Sequence, residues 1–195
     1  MEEPRHPFSP QKGKQALVII DVQDSFIKVM KAEVFSQVIK NIKLLIALAE
    51  KLNLPIILTE QYPKGLGKTV TQIQQSIKSY QPIEKLSFSS IGDDGFKARL
   101  KELKSTTAII LSGIETHVCI LQTALDLLAS GYKVYVAADA TCSQRKLDWE
   151  MGLRVMDKAD AIITTTEALI FQLLSKAGTE EFKFMSRLLK QTSPS

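Results

Sequence analysis

A carboxylate, an ammonium and a thiol stand where short apolar runs of this sequence stop. Asp21 follows Ala16-Leu17-Val18-Ile19-Ile20. Lys85 lies between Glu84 and Leu86. Cys119 ends the segment Gly113-Ile114-Glu115-Thr116-His117-Val118-Cys119, which comes soon after Thr107-Ala108-Ile109-Ile110-Leu111. A carboxylate at the end of a buried strand is half-desolvated, which makes Asp21 a candidate general base or a structural cap. A cysteine at or near a helix N-terminus is expected to ionise, because the dipole and free backbone N–H groups favour a thiolate. Lys85 would hold the carboxylate and add positive potential, and backbone N–H groups around Cys119 would receive an oxyanion. Together these are the parts of nucleophilic acyl transfer, although each residue taken singly is commonplace.

Those parts meet only if the apolar runs are neighbouring strands. Strands are predicted at 16–20, 55–59, 82–86, 107–111, 133–137 and 161–163. Between them lie helical patterns. Val34, Val38, Ile42, Leu45, Ala49 and Leu52 recur at spacings of three and four, and Val70, Ile73 and Ile77 mark a short helix. Phe96, Leu100 and Leu103 mark another, as do Val118, Leu121, Leu125 and Leu128. A helix over 146–158 is expected to turn Leu147, Met151 and Val155 inward. Thr164 with Glu167 reads as a capping box for a helix over 168–174, and Phe182, Met185, Leu188 and Leu189 mark the last helix. Nearly continuous apolar strands alternating with helices predict a doubly wound, mostly parallel six-stranded α/β sheet with helices on both faces. In such sheets ligands bind beyond the carboxyl ends of the strands, at a switch in strand order. Residues 1–14 read as an N-terminal arm, 15–190 as one domain and 191–195 as a frayed tail.

The 195 residues are 45% hydrophobic and 24% charged, which excludes intrinsic disorder for the bulk of the chain. Two cysteines exclude a disulfide scaffold and fit a reducing compartment. The net charge of +4 is spread along the chain, with only a loose gathering of Arg5, Lys12 and Lys14 near one end and Arg187 and Lys190 near the other, which argues against a nucleic-acid surface. No apolar stretch is long enough to span a bilayer, and Met1-Glu2-Glu3-Pro4 lacks the apolar run of a secretory signal, so a cytoplasmic location is expected, with a mitochondrial one left open.

The segments 16–23, 84–89 and 112–120 occur in the order found in the isochorismatase-like cysteine hydrolase family, and the sequence resembles that family over roughly residues 15–175. Thr59-Glu60-Gln61-Tyr62-Pro63-Lys64-Gly65-Leu66-Gly67 and residues 121–128 resemble its eukaryotic isochorismatase domain-containing branch. The resemblance implies a catalytic triad of Asp21, Lys85 and Cys119. It also implies a cis peptide between Ile114 and Glu115, an oxyanion hole from the N–H groups of Glu115 and Cys119, and a homo-oligomer. It implies a small-molecule substrate of amide-like or related acyl type and no cofactor. Nicotinamidases of the family hold a metal with an Asp-x-His segment and further histidines after the second strand. Here that region is Thr59-Glu60-Gln61-Tyr62 and the only histidines are His6 and His117, so no metal site of that kind is expected. True isochorismatases tend to lack the cysteine, so the family name is a poor guide to the substrate.

Phe26, Glu60, Gln61, Tyr62, Phe88 and Arg145 are candidate pocket residues; Phe26, Tyr62 and Phe88 either wall a pocket or simply pack, and Arg145 either reaches the site or lies on the surface. Cys142 reads as structural or pocket-lining. His117, two residues before Cys119, diverges from it on a helical turn and reads as structural. Gly67-Lys68-Thr69 lacks the upstream glycine of a phosphate loop, since Tyr62 stands there. Two other functional classes are weighed against the hydrolase. One is a protein-interaction member of the fold with little or no turnover, favoured by the departures around 59–62. The other, weaker, is an RNA-binding or ribonuclease-like protein, favoured only by a pI near 9.0.

Overall fold

The first strand, β1 (Gln15–Ile20), is buried at every residue. Its side chains alternate between two cores: Leu17 and Ile19 join one apolar cluster, and Ala16, Val18 and Ile20 the other. Burying each larger aliphatic of this kind is worth about 1.5–3 kcal/mol, which is why a strand with no polar face lies at the centre of the sheet. The computed structural model describes residues 6–192. Its sheet contains β1, β2 (Ile56–Gln61), β3 (Ile83–Lys85), β4 (Ala108–Ile114), β5 (Lys133–Cys142) and β6 (Ile162–Thr164), in spatial order β3-β2-β1-β4-β5-β6, with every pairing parallel. The doubly wound α/β sheet expected from the sequence is therefore present.

One helical layer is α1 (Ala32–Lys51) with α7 (Thr166–Leu174), α8 (Glu180–Thr192) and the short α3 (Thr71–Gln74). The other is α4 (Asp94–Glu102), α5 (Leu121–Ala129) and α6 (Lys146–Lys158); α2 (Pro63–Leu66) is a single turn beside β2. Among the described residues no helix is long and apolar enough to cross a membrane. Residues 6–14 form neither helix nor strand; Arg5 and residues 193–195 of the expected tail lie outside the described residues, and α8 runs on through Gln191.

The chain builds outward from β1 to β2 and β3, then returns to place β4 on the other side of β1. The switch in strand order therefore falls between β1 and β4. The two strands come close there. Gly113 has φ +122°, and a Cβ on it would lie 2.0 Å from the Ile20 carbonyl oxygen, so no other residue fits without separating the central strands.

Three expectations are corrected. Leu147, Met151 and Val155 are exposed at 63%, 38% and 46%, whereas Gly152, Leu153 and Met156 form the buried face of α6. The cap of α7 is Thr165, whose hydroxyl accepts from Ala168 N–H, so the capping box drawn at Thr164 is one residue early. Strand β5 continues beyond Ala137: its pairing with β4 shifts register around Ala137–Ala140 and resumes at Thr141 and Cys142. This bulge is tied down from three sides. Trp149 Nε1 donates to Ala138 O at 3.2 Å, Asn41 Nδ2 donates to Asp139 O at 2.7 Å, and Asp139 Oδ1 accepts from Thr166 N–H at 2.8 Å.

Candidate active site

At the carboxyl end of β1 the backbone turns sharply, with Asp21 at φ +52°. Its side chain is fully buried and its oxygens are separately held. Thr59 Oγ1, from the neighbouring β2, donates to Oδ1 at 2.7 Å, and Lys85 Nζ, from the end of β3, donates to Oδ2 at 2.6 Å. The ammonium of Lys85 is as buried as the carboxylate and has three further acceptors: Gln61 Oε1 at 2.8 Å and the carbonyls of Ser87 and Phe88 at 3.2 Å each. An ion pair taken out of water in this way is tolerable only when the remaining hydrogen-bonding capacity is also met, and here it is.

Beyond β4, a peptide bond in the cis form joins Ile114 to Glu115, and Thr116–Ile120 form a π-helical turn leading into α5. Cys119 lies in that turn, 6% exposed and close enough to Asp21 for the carboxylate's charge to act on it. Helix α6 presses on the same turn. A Cβ on Gly152 would sit 3.1 Å from His117 Cα, so a glycine there lets the two segments touch.

The resting thiol is not the thiolate expected from a helix N-terminus. Burial, and then the charge of Asp21, push its pKa up to about 12, outweighing the opposing pull of Lys85. The physical reason is depth together with a nearby negative charge. Burial likewise pushes Cys142 to about 12, and burial plus the hydrogen bond to Glu60 pushes Tyr80 to about 12. Each of these acids is neutral when protonated and has its folded pKa above the ordinary value of 9.0 or 10.0. The native state thus binds more protons than the unfolded chain at high pH. Their contribution to stability is complete below about pH 9 and is lost as pH rises through about 12. Urea midpoints are therefore expected to be flat around neutrality and to fall steadily above pH 9; a midpoint that rises over that range contradicts this placement of the thiols.

The structure brings Asp21, Lys85 and Cys119 together, and Gln61 with them, its Nε2 donating to Leu86 O at 2.7 Å. It does not bring Glu60. That carboxylate points to the other side of β2, where Oε1 accepts from Thr69 N–H at 2.7 Å, Thr69 Oγ1 at 2.8 Å and the Tyr80 hydroxyl. Arg145 is on the surface, paired with Asp148 at 2.6 Å. Phe26 is partly buried against the α1-side core. Tyr62, at φ +38°, and Phe88 are about half exposed, and Phe88 meets the site through its carbonyl. His117 Nδ1 lies 3.0 Å from Ser143 Oγ, and Glu115 Oε1 accepts from Gln144 N–H at 3.2 Å. The sequence reading missed Thr59 and Gln23. Thr59 is the parallel-register partner of Ile20, which alone would have placed it beside Asp21. Gln23 straps the 62–70 loop to the sheet edge, donating to Gly67 O at 2.6 Å and Gln61 O at 3.0 Å. Among the described residues no cluster of metal-ligating side chains occurs.

This architecture is that of the isochorismatase-like hydrolases. A Caenorhabditis elegans structure described as a MAR1 ribonuclease superposes with a TM-score of 0.86 at 36% identity, covering 96% of this chain and 95% of that one. The YcaC product of Escherichia coli, described as an octameric hydrolase of unknown specificity, matches at a TM-score of 0.84 and 20% identity, over 96% of this chain and 92% of that one; at that identity it speaks for the fold alone. The isochorismatase domain family model matches residues 15–168, and the chain belongs to that family. Bovine isochorismatase domain-containing protein 2 is 36% identical over 182 residues, 93% of this chain and 86% of the relative. The secreted isochorismatase effector Isc1 of Phytophthora sojae is 35% identical over 180 residues, 90% of this chain and 84% of the relative.

Proposed function

We propose that the protein is a cysteine-dependent hydrolase of a small amide-like or related acyl substrate. The observation that carries this reading is the buried carboxylate of Asp21 between the Lys85 ammonium and the Cys119 thiol at the topological switch point. Asp21 takes the thiol proton as the sulfur bonds to the carbonyl carbon, and the carbonyl π electrons move onto oxygen. The N–H groups of Glu115 and Cys119 receive that oxyanion. As it collapses the C–N bond breaks, and Asp21 gives its proton to the departing amine. Water then attacks the thioester and gives a proton to Asp21; as the second tetrahedral intermediate collapses, the C–S bond breaks, and the departing sulfur recovers that proton as the acid is released. Lys85 and Thr59 each donate to one carboxylate oxygen and so fix its orientation, while each oxygen keeps a second lone pair for the proton. No metal or organic cofactor enters these steps. Both cysteines are free and buried, which fits a reducing compartment such as the cytoplasm.

The test is acid-quenched turnover of a panel of small amides and esters, with mass mapping of the peptide that contains Cys119. An acyl mass on Cys119, absent from Cys119→Ala, is expected. Turnover that survives in Cys119→Ala, with no adduct in the wild type, sinks the reading. The name of the nematode neighbour supports a second reading, ribonuclease chemistry. Cleavage of single-stranded RNA that is indifferent to Cys119→Ala is the result that would favour it.

The apolar stripe of Leu147, Met151 and Val155 lies on the helix that presses on the Cys119 turn, and Leu86 and Phe88 near Lys85 are 75% and 53% exposed. Exposed apolar side chains on these two segments support a homo-oligomer. Sedimentation velocity is expected to show an assembly larger than the 21.7 kDa chain, and Met151→Glu a shift towards it; a wild-type monomer at high concentration removes the idea.

A further inference from the structure

On the face of the molecule away from the Cys119 turn, α1 forms the floor of a groove of about 1080 Å³. Groove-lining residues occur along α1 from Ala32 to Lys51. Phe35, Ile39 and Leu44 lie beneath the groove, each less than a tenth exposed, and the accessible apolar surface is that of Ile27, Ala32, Ala47, Phe184 and Leu188. Phe184 and Leu188 of α8, and Ser76 and Lys78 after α3, also line it. The charge of the lining is lopsided. It holds Lys40, Lys43, Lys51 and Lys78 against the single carboxylate of Glu50, a surplus of three in a chain whose net charge is +4. Within the groove Lys78 approaches Glu50 at 3.6 Å and Lys51 lies 5.6 Å over the Phe184 ring; beyond its end Glu181 faces Lys51.

We propose that this groove docks an acidic amphipathic helix of a partner protein. The occupant follows from the shape and the charge together. A groove that follows α1 accepts a second helix laid alongside it, whose apolar stripe at three- and four-residue spacing meets Ile27, Ala47, Phe184 and Leu188. The lysines at the rim then meet acidic flanks. A membrane surface presents no ridge that enters a groove. An RNA strand would set its phosphates over aliphatic side chains. The groove shares no lining residue with the Asp21, Lys85 and Cys119 cluster, so the docking stands independently of the proposed hydrolysis.

A fluorescein-labelled peptide of about 18 residues, leucine on one face and glutamate elsewhere, is the probe for anisotropy titration against the full chain. Saturable binding that weakens with added salt is expected, with a scrambled peptide of the same composition at least about tenfold weaker. The double variant Lys43→Glu/Lys78→Glu is expected to lose about tenfold or more in affinity, and Ser36→Trp, which fills the channel from an exposed floor position, to lose binding with its unfolding temperature unchanged. Equal binding of ordered and scrambled peptides overturns the proposal. So does affinity that ignores both variants. Charge-sensitive binding of poly(U) or of phosphatidylserine vesicles, without binding of the peptide, also overturns it.

Discussion

Replacing Asp21 by asparagine is expected to cut turnover by about 10²–10⁴-fold, the range for removing a general acid–base group, and at the same time to make Cys119 easier to alkylate. The two effects have opposite signs because the carboxylate does two things. It is the proton acceptor during attack, and it is the second-largest reason, after burial, that the thiol's pKa stands at about 12. Asparagine keeps an oxygen for the Thr59 hydroxyl but carries no charge. The remaining charge from the original pair is the Lys85 ammonium, which pulls the thiol pKa down. Below pH 12 each unit of decrease raises the thiolate fraction about tenfold. Iodoacetamide rates at Cys119, mapped by mass against pH, together with kcat on whichever amide the trapping experiment identifies, read both effects. Alkylation that slows in parallel with turnover would mean that Asp21 only supports the structure.

The ionisation state of Cys119 differs from the sequence expectation, and the difference has a definite source. A helix start was legible after Gly113, but not the π-helical turn that draws Cys119 inward against Asp21. The strand ends put a carboxylate, an ammonium and a thiol at one edge of the predicted sheet, and it was the resemblance to the family that singled out Asp21, Lys85 and Cys119 as a triad. Glu60 was misplaced because β2 was expected to stop at Thr59. Carried on to Gln61, the two-residue alternation puts Thr59 and Gln61 towards Lys85 and Glu60 towards Tyr80, as is found. Helix α6 carries two apolar stripes, and periodicity cannot choose between them. The choice is made by Gly152, the position close enough to the Cys119 turn to need no side chain. The end of β5 was hidden by its own bulge. Asp139 interrupts the apolar run because it accepts from the N–H and hydroxyl of Thr166 at the start of α7, a tertiary task with no local signature.

Lys85→Met is expected to destabilise the protein by about 3–5 kcal/mol, the cost of leaving one member of a buried ion pair uncompensated, and to abolish turnover with it. Asp21→Asn should cost less, and the structure shows why. When the carboxylate's charge is removed, the ammonium keeps Gln61 Oε1 and the carbonyls of Ser87 and Phe88. When the ammonium is removed, the carboxylate keeps the Thr59 hydroxyl and an un-ionised thiol, neither of which carries positive charge. The stranded carboxylate is thus the worse outcome, and removing it as well should help. The double variant Asp21→Asn/Lys85→Met is expected to be more stable than Lys85→Met alone, a non-additivity well beyond the ~0.5 kcal/mol seen for independent sites. Urea denaturation of the four proteins at one pH measures the cycle. Strict additivity would mean that the 2.6 Å contact between these two residues carries no coupling, and that the carboxylate facing Cys119 is held in place by something other than Lys85.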